Sequence, residues 1–96
     1  MAFLPEYFEA AEADIEEALD WYMEKNQDVA SRFYDVFLDL EERILENPFQ
    51  FPIVFDNLRK ARFLNSFPYS IIFFIEKNVV FIFHDKRDPQ VWKDRV

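Results

Sequence analysis

The chain has 96 residues, 51% apolar and 20% aromatic, with no cysteine, no glycine, one histidine and a formal net charge of −8. That is the size of one domain, residues 1–96, with a single core, and it is too hydrophobic for a disordered chain. The composition excludes disulfides and the glycine-dependent phosphate loops, and it argues against a zinc site, so neither metal nor cofactor is expected.

No apolar run approaches the roughly 20 residues that a membrane span needs, and no basic-then-apolar leader opens the chain. A cytoplasmic protein without a membrane partner is expected. The charge is unevenly spread. Residues 1–46 carry fourteen Asp/Glu and three Lys/Arg, whereas residues 47–96 carry five and eight. Such asymmetry suggests a charged partner, although an acidic helical face is ordinarily just solvated surface.

In chain order, Met1–Leu4 reads as a short strand and Pro5 as a helix start. Phe8, Ala11, Ile15, Ala18/Leu19 and Tyr22 then recur at helical spacing, which predicts a helix over 5–24. A turn at 25–27 comes next, with Asp28 as the cap of a second helix. Val29, Phe33, Val36/Phe37, Leu40 and Ile44 form its apolar stripe. Asn47 precedes Pro48 and is pushed out of helical conformation, so the helix ends near Glu46. The short connection makes the two an antiparallel hairpin.

Residues 49–52 read as an aromatic connection. Strands are predicted over 59–64, 70–76 and 79–84, the last two joined by a Lys77-Asn78 turn in which Asn78 takes the positive φ. Ile71–Ile75 and Val79–Phe83 do not alternate in polarity, so both faces of the sheet are apolar and the face away from the helices needs a cover. Ile72, Phe74, Phe81 and Phe83, with Trp92 from a short terminal helix begun at Asp88-Pro89, are therefore candidate partner-binding residues.

The most concentrated chemistry lies at the end of the last strand. His84 is followed by Lys86 and Arg87, and then by Lys93 and Arg95. Arg59, Lys60 and Arg62 supply further cations. If these groups converge, Arg62 and Arg87 are placed to hold phosphate while His84 exchanges a proton, the minimum for cleaving RNA through its 2′-hydroxyl. In a simple three-strand meander, however, residues beginning the first strand and ending the third lie at opposite ends. The alternative reading of His84 is a strand-end histidine satisfied by Asp85 or Asp88. Glu9, Glu12, Glu16 and Asp20 share a helix face, but no second ligand set accompanies them.

Glu12-Ala-Asp-Ile-Glu-Glu-Ala18 with Trp21-Tyr22, then Ile44-Leu-Glu-Asn-Pro48 with Phe51-Pro52, Arg62-Phe-Leu64, Phe67-Pro-Tyr-Ser-Ile71 and His84-Asp-Lys-Arg-Asp-Pro89 with Trp92 and Arg95, resemble in order and spacing the RelE/ParE superfamily of type II toxin–antitoxin toxins. The resemblance covers nearly the whole chain. It implies an α+β fold in which an N-terminal antiparallel helical hairpin packs on a small twisted antiparallel sheet, with a short C-terminal helix.

It also implies a cognate antitoxin that wraps the toxin, and a target that is either DNA gyrase or the ribosome. The Phe-Pro-Tyr and Arg-Asp-Pro…Trp segments look closer to the ParE-like side, whose members inhibit gyrase without cutting nucleic acid. Arg62, His84 and Arg87 fall at functional positions if the chain is instead a RelE-like ribonuclease. A third reading is a non-toxic interaction module that retains the fold. The negative charge departs from the basic character typical of the family and opposes approach to ribosomal RNA. A shortened first strand leaves a sheet edge open for a partner strand or for self-association.

Overall fold

The computed structural model describes residues 3–63, 67 and 69–84, with the backbone alone at His84. Strand β1 (Leu4–Tyr7) precedes helices α1 (Glu9–Lys25) and α2 (Gln27–Glu46). A single 3-10 turn at Pro48–Gln50 leads to β2 (Ile53–Phe55), β3 (Leu58–Arg62), β4 (Ser70–Glu76) and β5 (Val79–His84). The strands form one sheet in the order β1-β5-β4-β3-β2. The β3–β4 and β4–β5 pairings are antiparallel, as expected, and so is β2–β3, but β1 lies parallel to β5, so the sheet is mixed. The expected C-terminal helix falls on residues outside those described.

The first strand lies further along the chain than the sequence suggests, and the helix starts later. Pro5 is not a helix start. It sits in β1, an edge strand, where its missing N–H costs no central ladder bond. The Phe8 backbone is extended and its N–H donates to the Ile82 carbonyl, so the chain enters α1 only at Glu9.

Between the helices, Asn26 serves both ends. Its N–H donates to the Tyr22 carbonyl, and its Oδ1 accepts from the N–H groups of Asp28 at 2.8 Å and Val29 at 3.3 Å. Asn26, rather than Asp28, is therefore the cap of α2, and Asp28 lies in the first turn, where its charge suits the helix dipole. Helix α2 ends at Glu46 as the Asn47-Pro48 pair dictates. Gln50 reaches back with its side-chain amide to donate to the carbonyls of Arg43 and Asn47, adding to the backbone bonds that these accept from Asn47 and Gln50.

The strand pattern of the sequence does not foretell β2. Its signal is a β-branched pair, Ile53-Val54, before Phe55 and the turn residues Asp56-Asn57. In a chain without glycine, two of the described residues adopt the left-handed region at hairpin turns: Asp56 (φ 54°) and Lys77 (φ 57°). The second corrects the expectation that Asn78 would do so. Arg59 ties the preceding loop to the sheet. Its Nη1 donates to the Phe51 carbonyl at 2.6 Å, and its guanidinium lies 5.3 Å from the Phe49 ring centroid.

The core lies between the helices and one sheet face. Phe33 is fully buried and packs against Tyr22, Phe63, Phe67 and Tyr69 at 5.1–5.4 Å between ring centroids. Ala11, Ile15 and Ala18 of α1 and Phe37, Leu40 and Ile44 of α2 join Ala61, Ile71, Phe73, Val80 and Ile82 of the sheet in the same cluster.

Phe33→Ala is expected to lower unfolding free energy by roughly 3–5 kcal/mol in a urea titration, the range for emptying a closed aromatic site. Asn26→Ala should cost about 1 kcal/mol and Asp28→Ala only about 0.3 kcal/mol. The reverse order in the same titration would return the cap to Asp28.

Candidate functional site

The sheet face turned away from the helices is built from alternate residues of β3, β4 and β5. Leu58 and Ile72 are buried there, and Phe74 and Phe83 pack partly buried against them. Phe74 and Phe81 are direct cross-strand partners and their rings stack at 5.0 Å, 13° from coplanar. Phe8, assigned by periodicity to the helical stripe, instead sets its ring edge-on to Phe74 at 6.1 Å and to Phe83 at 5.5 Å. It leaves the helix stripe because the chain is still extended at this point. Of the partner-binding candidates, Ile72 is thus fully buried and Phe74, Phe81 and Phe83 are half-buried. Trp92 lies outside the described residues.

Cations flank this aromatic surface. Lys60 and Arg62 stand opposite Ile72 and Ser70 across β3 and β4, which puts both on the face that carries Ile72. Lys60 is half-buried and Arg62 is exposed. β3 starts at Leu58, so Arg62 ends the strand instead of standing near its start. β3 and β5 are both antiparallel to β4 and therefore run the same way. The end of the first strand and the end of the third consequently share one end of the sheet. The expectation that kept them apart fails because Arg62 ends its strand, whereas the meander geometry itself holds.

His84 pairs with Ile72, two residues along β4 from the partner of Arg62. The two backbones are on the order of 12 Å apart by standard strand spacing. A bulge precedes His84: Ile72 pairs with His84 and Phe73 with Ile82, leaving Phe83 as the extra residue. Bulges bend a strand and change the direction of the side chains beyond them. Arg87 and Lys86 lie outside the described residues. Among the described residues, no group of three or more His, Asp or Glu side chains is placed to hold a metal ion. No helix among them is long and apolar enough to cross a membrane.

A concavity lies on the helical side, where the sequence suggests only a solvated acidic surface. It is an open groove of about 320 Å³ between α1 and α2. Tyr7 borders it and donates its hydroxyl hydrogen to Glu41. The signal available in the sequence was Tyr34 and Leu38, apolar residues four apart that lie off the buried stripe of α2.

A family model for the ParE toxin of type II toxin–antitoxin systems, parDE, matches residues 6–89. The chain belongs to the ParE toxin family. A solved structure described as the chromosomal ParDE TA system from P. aeruginosa contains a chain with the same fold. The superposition has a TM-score of 0.75 and covers 90% of this chain and 96% of that one, at 16% sequence identity. At that identity the likeness concerns the fold. A comparison with curated proteins finds no match. The α+β architecture and the place in the RelE/ParE superfamily that the sequence suggested are both shown.

Stacking of Phe74 on Phe81 should appear as coupling. A double-mutant cycle with Phe74→Ala and Phe81→Ala, read by urea denaturation, is expected to give an interaction energy of about 0.5–1.5 kcal/mol. Strict additivity would show that the two rings contribute only their separate burial.

Proposed function

We propose that this ParE-family chain is the toxin of a type II toxin–antitoxin pair. In this reading it arrests growth by binding a macromolecular target in the manner of a gyrase inhibitor, is neutralised by a cognate antitoxin protein, and works in the cytoplasm. The family match over residues 6–89 carries the toxin reading. The non-enzymatic mode draws support from the character of the sheet face, where aromatic rings of β4 and β5, with Phe8, form a broad surface suited to a protein partner. The negative charge further disfavours RNA as the target.

In this proposal Ile72, Phe74, Phe81, Phe83 and Trp92 form the partner surface, and Ile72 serves from beneath as its packed floor. The exposed side chains of Ile53, Val54 and Phe55 on the β2 edge offer a further route to partner-strand addition or self-association.

A ribonuclease acting on the ribosome is the second reading, and one specific observation favours it. Arg62 and His84 end two strands at the same side of the sheet, two residues apart in register and next to a bulge. In that reading Arg62 and Arg87 hold the phosphate and His84 moves the proton.

Pulse labelling after tightly controlled induction without antitoxin separates the readings. Thymidine incorporation is expected to fall first, amino-acid incorporation later. His84→Ala should still arrest growth, whereas Trp92→Ala, checked for folding by circular dichroism, should not. Early loss of amino-acid incorporation, abolished by His84→Ala, would establish the ribonuclease. Continued incorporation of both in cells containing folded protein would leave a non-toxic interaction module.

A further inference from the structure

The groove between α1 and α2 combines an apolar floor with an anionic rim. Phe37 is buried in its floor, and Tyr34 and Leu38 line it while remaining 44% and 41% exposed. Glu12 and Glu16 border it from α1 and Glu41 from α2. Among the described residues, no lysine or arginine lines it. Carboxylates alone on a helix face would be ordinary solvated surface. Here they flank exposed apolar side chains in the furrow between two packed helices, where a third helix can lay its own ridge.

We propose that this groove docks a cationic amphipathic helix of a partner protein. Apolar side chains at i, i+3 or i+4, and i+7 would contact Tyr34, Phe37 and Leu38, while flanking Lys or Arg reach Glu12, Glu16 and Glu41. Charge selects this occupant over others. A second copy presenting the same face would bring fourteen carboxylates of one N-terminal half against fourteen of another, and an anionic lipid surface would meet the same rim. Identifying the partner as the antitoxin rests on the toxin reading above; the chemistry of the groove does not. On that reading the antitoxin segment that meets the helices is basic, because the toxin half it meets is acidic.

The test uses the full chain and three labelled synthetic peptides, each about four turns long if helical. One has an apolar stripe flanked by Lys, one has the same stripe flanked by Glu, and one has the Lys composition scrambled so that the stripe is lost. Fluorescence anisotropy is expected to show binding of the Lys-flanked helix that weakens with salt, no binding of the Glu-flanked helix, and binding of the scrambled peptide at least about tenfold weaker. Glu12→Gln with Glu16→Gln, and separately Leu38→Ala, should each weaken the Lys-flanked helix by about fivefold or more, with circular dichroism unchanged.

Equal binding of the Glu-flanked or scrambled peptide would overturn the proposal, as would full binding by either variant. Growth arrest by the unmodified chain is scored in parallel. Its absence would remove the toxin reading, while the anisotropy alone decides the groove.

Discussion

The structure depends on a sheet whose two central strands are apolar on both faces. In β4, Ile71 and Phe73 enter the helix-side core while Ile72 and Phe74 belong to the opposite cluster. In β5, Val80 and Ile82 face the helices while Phe83 joins the far side. Such a sheet cannot leave either face to water without exposing aromatic surface at roughly 25 cal/mol per Å². The helical hairpin meets that demand on one side. On the other, Phe8, Phe74, Phe81 and Phe83 remain partly open, and the proposed target surface lies there.

The same division separates charge. The helices that cover one face carry most of the carboxylates, whereas Lys60 and Arg62 stand on the other. The face that carries Lys60 and Arg62 also carries Glu6, opposite Phe81, and Glu76, two residues beyond Phe74, so its described charges balance while the helical side is strongly acidic. One anionic face and one aromatic face of balanced charge suit partners of different chemistry.

Much of this is legible in the sequence. The stripe Phe33, Phe37, Leu40, Ile44 marks α2, and the Asn47-Pro48 pair fixes its end. The unbroken apolar runs 71–75 and 79–83 announce a sheet needing cover on both faces. Sequence reading errs where tertiary partners outweigh local pattern. Pro5 looks like a helix start until β5 offers β1 a parallel partner, a pairing of residues such as Leu4 and Val79 that leaves no periodic trace. Phe8 fits the helical stripe by spacing, but the same pairing keeps its backbone extended and sends its ring to the aromatic face. Asn26 and Asp28 are both good caps, and chain geometry decides between them. The three-residue β2 is too short for a pattern. Arg62 and His84 look distant only while Arg62 is placed near the start of a strand over 59–64, whereas β3 ends at Arg62.

The parallel pairing of β1 with β5 also orders events in time. The helical hairpin is local and can form as soon as residue 46 is free, whereas β1 gains its hydrogen-bonding partner only when residues 79–82 have emerged. During synthesis the acidic N-terminal segment is therefore exposed before the sheet is complete, with its apolar stripes still unburied. The aromatic face, which needs Phe8 from one end of the chain and Phe83 from the other, is the last surface to assemble. A partner that recognises the helices can meet the nascent chain before the surface assigned to the target has formed.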